Sequence, residues 1–247
     1  MRILAISDIS WNFVYLEELE LARQIEDIHP DLVLLAGDLV NDMFGIRDGE
    51  FYSRDKYWDD VYGLFDFLNE HRIQTFCIRG NWDNSSQYDK AIKLAGKKPS
   101  FVKEISEKVE EYKGLRILGL SHAFTNSLED IRLLSEEFQE GLDLVLAHAE
   151  YKRRIWLFHL NTKLIITGHF DKQLCQIQDK VFISLGRFPA QYVVIDYEPT
   201  KFEICYFDKG IHRTVLRKAS FVNEKLIWRE NRFKYYRQYA NQVESLM

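Results

Sequence analysis

The chain reads as an α/β protein of two mixed sheets packed face to face with helices outside, a four-layer α/β/β/α sandwich. Three observations lead there. In the first third, short apolar runs alternate with amphipathic stretches, the pattern of parallel βαβ units. Toward the C-terminus hairpin signals replace them, with strands following one another across short turns. Several runs are continuously apolar rather than alternating, as strands buried on both faces are.

In chain order, Ile3–Ile9 is an apolar run ending around Asp8, the first buried strand. A helix pattern spans Tyr15–Ile28 and closes at His29-Pro30, because proline cannot continue it. Leu32–Ala36 is a second buried strand that stops at Gly37-Asp38. Asn41–Arg54 is polar and contains glycine, the composition of a loop, and Lys56–His71 has the period of an amphipathic helix. Thr75–Ile78 is a third strand, broken by Gly80, and a parallel sheet is the economical arrangement of this βαβαβ unit. Val109–Tyr112 and Leu115–Leu120 flank Lys113-Gly114, a hairpin signal. Leu128–Gln139 reads as helix, and Leu142–Ala147 and Leu164–Thr167 return as buried strands. Val181–Leu185, Tyr192–Tyr197 and Phe202–Phe207 follow, with Pro199-Thr200 marking the last hairpin turn. From Phe221 to Val243 a long helix is expected, with Trp228, Tyr235, Tyr236, Tyr239 and Val243 recurring at helical spacing. With no Pro/Gly-rich linker and no repeat, residues 1–212 are taken as one domain. Residues 213–247 are then a basic, aromatic, helical extension packed on that domain or on a second subunit.

The 247 residues suffice for one large α/β domain, and 46% apolar with 29% charged residues is the balance of a soluble globular protein. No apolar run approaches the roughly 18 residues of a membrane span, and Met1-Arg2-Ile3-Leu4-Ala5 reads as a strand rather than a secretory leader. Cys77, Cys175 and Cys205 are odd in number and scattered, which points to neither a disulfide framework nor a zinc finger. A cytoplasmic protein without membrane contact is the expectation. Charge is uneven: Arg213 to Arg237 holds eight Lys/Arg and two Glu, a local +6 in a chain of net −5, so the remainder carries −11. A helix docked by its apolar face, its basic residues solvated or turned to the acidic body, is favoured over a nucleic-acid arm.

Five polar pieces close five apolar runs: Ser7-Asp8-Ile9-Ser10, Gly37-Asp38, Gly80-Asn81-Trp82-Asp83, Ala147-His148 and Gly168-His169-Phe170-Asp171. In an open α/β sheet ligands gather at the carboxyl ends of strands. Two Asp, one Asn and two His converging from rigid strand ends supply the oxygen and imidazole donors a divalent cation takes. Taken singly, each has a plain structural reading. Asp8 or Ser10 caps the following helix, Gly37-Asp38 and Gly80-Asn81 are turn dipeptides, and His148 or His169 is a hydrogen-bonded structural histidine. His122, after Leu115–Leu120, lines the cleft or caps a turn, and the turn is favoured. His159 is read as packed. Arg79 and Arg187 adjoin strand ends and are candidates to meet a phosphate. The loop Phe44–Asp60 has aromatics that wall a site or simply anchor the loop.

The order of these pieces resembles that of the calcineurin-like metallophosphoesterases, whose pattern is Asp-x-His, Gly-Asp, Gly-Asn-His-Asp/Glu, His, Gly-His-x-His. The resemblance covers residues 1 to 198 and implies the family's sandwich fold and a two-metal site. One implied metal position falls on Asp38, Asn81, His148 and His169, all of the family's type. The other falls on Asp8, bridging Asp38, Ser10 and Asp171, where Ser10 and Asp171 stand in place of histidines. That second position is richer in oxygen and more negative, so magnesium or manganese is expected there rather than zinc or iron, and weakly held. Trp82 occupies the place of a histidine that relatives use on the leaving group, and tryptophan transfers no proton. Ser10 is also a candidate substrate contact, and Trp82 either stacks on a base or sugar ring of the substrate or walls the core. The implied function is hydrolysis of a phosphate ester, a diester before a monoester, by in-line attack of metal-activated water, with Asp38, Asn81 and His148 catalytic. The alternative is a catalytically degenerate relative that binds a phosphate-containing ligand or a partner protein.

Overall fold

The protein is described here from a computed structural model. Described residues are 1–9, 16–39, 46–47, 50–51, 54–83, 86–95, 100–138, 141–169, 173–177, 179–186, 188, 191–198, 201–209, 214–222 and 225–229. The first part runs β1 (Arg2–Ile6), α1 (Leu16–Ile28), β2 (Leu32–Leu35), the two-residue strands β3 (Ile46–Arg47) and β4 (Glu50–Phe51), α2 (Arg54–Glu70), β5 (Gln74–Cys77), α3 (Ser86–Ala95) and β6 (Val102–Glu104). The middle runs β7 (Lys108–Tyr112), β8 (Leu115–Leu120), a 3-10 turn at Phe124–Asn126, α4 (Leu128–Glu137), β9 (Leu142–His148), a 3-10 segment at Tyr151–His159 and β10 (Thr162–Gly168). The last part is strand only: β11 (Gln173–Ile177), β12 (Lys180–Ser184), β13 (Gln191–Glu198), β14 (Lys201–Lys209), β15 (Thr214–Val222) and β16 (Lys225–Arg229).

One sheet has eight strands in the order β16-β15-β14-β13-β1-β2-β5-β6, the other six in the order β11-β12-β10-β9-β8-β7. Both are mixed. β1, β2, β5 and β6 are parallel, with the antiparallel β13–β16 meander added at β1. β8, β9, β10 and β12 are parallel, with β7 and β11 antiparallel at the edges.

Period-two alternation builds the layers. Ile3, Ala5, Leu32, Leu34, Leu144, Leu146, Leu164 and Ile166 share one core between the sheets. The intervening residues Leu4, Ile6, Val33 and Leu35 pack outward on α1, α2 and α3 through Leu21, Leu64, Leu68 and Tyr88. On the far side Val145, Ala147, Ile165 and Phe182 pack on Ile131 of α4, on Leu157 of the 3-10 segment and on Leu160 just after it. The four-layer sandwich is therefore present. α4 is started by Ser127, whose side chain accepts from the Asp130 amide, with Glu129 and Asp130 in the first turn, where the helix dipole favours negative charge.

The C-terminal expectation needs correction. Where described, residues 221–229 are strand, not helix: Phe221 lies near the end of β15 and Trp228 lies in β16. Pairing across strands outweighs the helical spacing, because Ala219 and Phe221 join the intersheet core and Phe221 stacks on Phe202 at 4.7 Å between ring centroids. Tyr235, Tyr236, Tyr239 and Val243 lie outside the described residues. The expected loop Asn41–Arg54 holds the small β3–β4 ladder, and α3, β6 and β11 had no counterpart in the sequence reading. Among the described residues no helix is long and apolar enough to cross a membrane.

Candidate metal centre

Asp8 lies beyond β1, Asp38 beyond β2, Asn81 beyond β5, His148 at the end of β9 and His169 beyond β10. Parallel pairing brings these carboxyl ends to one rim, and the Asp8 amide donates to the Gly37 carbonyl at 3.0 Å. Close backbone approach demands the glycines. Gly37 sits at φ +82, and a methyl group on Gly80 would fall 2.0 Å from Asp38 Oδ1. Asp8, Asp38 and His169 are themselves left-handed, at φ 53, 51 and 87. Such conformations cost roughly 1–3 kcal/mol each and concentrate where function demands a geometry.

His148 is fully buried and its Nδ1–H donates to the Ala36 carbonyl at 2.7 Å, which turns Nε2 into the centre. There Nε2 lies 3.0 Å from Asn81 Oδ1, 3.2 Å from His169 Nδ1 and 3.3 Å from Asp38 Oδ2. His169 Nδ1 is 3.0 Å from Asn81 Oδ1. Of the buried carboxylate oxygens, Asp8 Oδ1 accepts no hydrogen bond, and Asp38 Oδ2 meets His148 Nε2 at 3.3 Å, longer than a well-formed bond. Burying such an oxygen unpaired is costly, and a cation is the partner that relieves it. The donor set of carboxylate, amide oxygen and two imidazoles fits a divalent ion. Burial disfavours charge on His148, yet the adjoining Asp38 and then Asp8 outweigh it and raise its pKa to about 9. A proton and a metal ion compete for the same nitrogen.

The other Asp8 oxygen, Oδ2, accepts from Ser7 Oγ at 2.6 Å and from the His169 amide at 3.0 Å, and burial first of all raises the Asp8 pKa. Asp83 is buried and accepts from the Leu39 amide and the Gly80 amide, both at 2.9 Å. It thus ties the Asp38 and Asn81 loops together, and burial followed by the charge of Asp38 raises its pKa to about 7. Trp82 is half-buried, with its backbone N–H donating to Asp38 Oδ1 at 2.9 Å. Ser10, Asp171 and Arg187 lie outside the described residues, as do the side chains of Phe44–Asp60, whose residues from Arg54 onward belong to α2 and not to a loop.

Two expectations change. His122 does form the turn, with Thr125 Oγ1 donating to its carbonyl at 3.0 Å. It also reaches the centre: its ring stacks at 5.8 Å on His169 and stands 5.9 Å from His148. His159 is exposed rather than packed, since Leu157 and Leu160 take the buried positions around it. Arg79 is engaged by Glu104 at 2.6 Å and by Asp89, with its guanidinium over Tyr88 at 4.9 Å, so its charge is already paired. Sequence reasoning missed two residues. Thr125 Oγ1 donates to the His148 carbonyl at 2.8 Å, and Arg154 donates to the carbonyls of Ala149, Gly168 and His169. Only the proximity of Arg154 to His148 in the chain hinted at either.

A family profile described as calcineurin-like phosphoesterase matches residues 1–173. No curated protein matches the sequence. Among solved structures, TT1561 of Thermus thermophilus is similar with TM-score 0.59 at 12% identity, over 79% of this chain and 93% of that one. Vacuolar protein sorting 29 from Cryptosporidium parvum is similar with TM-score 0.51 at 13% identity, over 90% of this chain and 98% of that one. At these identities the likeness carries the fold alone. With more than half of its length matched by the family profile, the chain belongs to the calcineurin-like phosphoesterases.

Proposed function

We propose that this protein is a metal-dependent phosphoesterase acting on a phosphodiester in preference to a monoester. The observation that carries the reading is the convergence of Asp38 Oδ2, Asn81 Oδ1, His148 Nε2 and His169 Nδ1 on one point, with His148 Nε2 within 3.3 Å of each of the other three. Those four residues would hold one divalent ion, and Asp8 with its unpaired Oδ1 would contribute to a weaker second one, together with Asp171. When bound, the metal supplies positive charge that polarises the phosphoryl group and activates an attacking water. The chain's own part is to orient. Ala36 fixes the His148 tautomer, Asp83 fixes the Asn81 loop, and the Trp82 amide fixes the Asp38 carboxylate. No side chain at position 82 donates a proton to a leaving group, which favours esters whose leaving group departs without one. Manganese or magnesium suits the oxygen-rich Asp8 side better than zinc or iron.

Trp82 also favours a second reading, a protein that binds a phosphate-containing ligand or a partner without turnover. Hydrolysis of bis-p-nitrophenyl phosphate with magnesium, manganese, nickel or zinc separates the two. Turnover that Asn81→Ala and His148→Ala each reduce by at least 100-fold is expected. Absence of turnover with every metal would leave the binding reading standing.

A further inference from the structure

A partly exposed ligand of the centre, His169, is held through its backbone by a buried cation. Arg154 is only 4% exposed, in the 3-10 segment that follows β9. Its Nε donates to the Ala149 carbonyl at 3.0 Å, the residue next to His148. One terminal nitrogen donates to the Gly168 carbonyl at 3.2 Å and to the His169 carbonyl at 3.0 Å. One planar guanidinium thus joins the ends of β9 and β10, as its fork of donors allows and a lysine ammonium does not.

The grip matters because His169 is not in a relaxed conformation. Its φ of 87 lies outside what an L-residue adopts readily, and it follows the last residue of β10, beyond the ladder that holds that strand. Two groups restrain it from opposite sides. Asp8 Oδ2 accepts from its amide at 3.0 Å, and Arg154 donates to its carbonyl. With both peptide ends fixed, the imidazole is aimed so that Nδ1 meets Asn81 Oδ1 and His148 Nε2.

We propose that Arg154 is a positioning residue for the metal centre, acting through the backbone of Gly168 and His169 to hold the His169 imidazole in its ligating orientation. The inference rests on the metal-centre reading for its functional meaning, but the positioning itself is a property of the metal-free chain. Two measurements therefore test it. In metal-free protein, hydrogen exchange at the His169 amide should be at least tenfold faster in Arg154→Met than in wild type, with exchange at Val145 and Ile165 in the strand cores unchanged. Manganese affinity by calorimetry should fall at least tenfold in Arg154→Met. Arg154→Lys, which keeps the buried charge but lacks the fork, should recover less than half of that loss on a logarithmic scale. His169→Ala should remove most of the effect of Arg154→Met on affinity, since the two act in one chain of contacts.

Unchanged exchange at His169 in Arg154→Met overturns the proposal, and so does full recovery by Arg154→Lys. If Arg154→Met loosens the strand cores as well, Arg154→Lys decides: faster exchange confined to His169 supports the proposal, and none overturns it. Wild-type protein that binds no manganese overturns the metal-centre reading instead, leaving the exchange result to judge Arg154.

Discussion

The two ends of the sandwich treat charge in opposite ways. At the amino ends of β1 and β9 charged groups are paired. Arg2 pairs with Asp196 at 2.8 Å, Lys113 with Asp31 at 2.7 Å, and Asp143 accepts from the Tyr197 hydroxyl and the Arg116 amide, both at 2.8 Å. Asp31 is accordingly held below the ordinary carboxylate pKa, by its bond from Lys113 first and the Arg2 amide next. At the carboxyl ends Asp8, Asp38, Asp83 and His148 are all buried, and Asp8 Oδ1 accepts nothing. The same strands carry both arrangements, so sheet geometry does not dictate the difference. One end is arranged for stability, while the other bears a desolvation cost that makes sense for a cation site.

The largest break in that comparison comes from Gly80→Ala. A methyl group there meets Asp38 Oδ1 at 2.0 Å, a carboxylate oxygen held by the Trp82 amide, and the Asp38 backbone nitrogen at 2.3 Å, which has no side-chain freedom to yield. Overpacking against backbone of this kind is expected to cost about 3 kcal/mol in urea unfolding. It should also abolish any stabilisation by manganese, because Asp38 is displaced. A variant that unfolds like wild type and keeps its response to the metal would show that the rim is more compliant than its packing indicates.

What the sequence disclosed divides along similar lines. Asp8, Asp38, Asn81, His148 and His169 were legible because each closes an apolar run, and the run and its terminator are contiguous in the chain. The layers were legible because period-two alternation is local. Arg154 was not, and for His122 the sequence allows the cleft but favours the turn. His122 faces the centre only because β8 lies parallel to β9 in the second sheet, a pairing between distant segments. Arg154 differs from its neighbour Arg153 in burial alone, 4% exposed against half-buried, and two adjacent arginines carry no mark of which one turns inward. The β15–β16 hairpin was misread because Trp228 fits helical spacing with Tyr235, while Ala219 and Phe221 are fixed by cross-strand partners that the local period does not reveal.

A middling effect is expected from Tyr197→Phe at the amino end. The hydroxyl bridges the two sheets by donating to Asp143 on β9, and burial and the bond to Asp143 raise its pKa. Its loss leaves one carboxylate oxygen of Asp143 short of a donor, for about 1–2 kcal/mol of stability. Since it shares no partner with Asp38, Asn81, His148 or His169, manganese affinity should stay within twofold of wild type. A larger change in affinity would mean that the spacing of the two sheets, set at one end, governs donor geometry at the other.

The smallest effect tests whether pairing at the amino end is a matter of stability at all. Asp196→Asn removes the charge opposite Arg2, but the two side chains are 46% and 53% exposed, so water and salt already weaken their attraction. Arg2 keeps two other bonds, from its amide to Asp31 Oδ2 at 2.8 Å and from its guanidinium to the Ile28 carbonyl at 3.2 Å. Asparagine also retains an oxygen able to accept from Arg2. The expected loss is below about 0.5 kcal/mol, and smaller still at high salt. Urea unfolding at low and high ionic strength reads both quantities. A loss above about 1 kcal/mol that salt does not diminish would show that this pair is shielded from solvent more than its exposure implies. The contrast between the ends would then lie in satisfied against unsatisfied groups rather than in wet against dry ones.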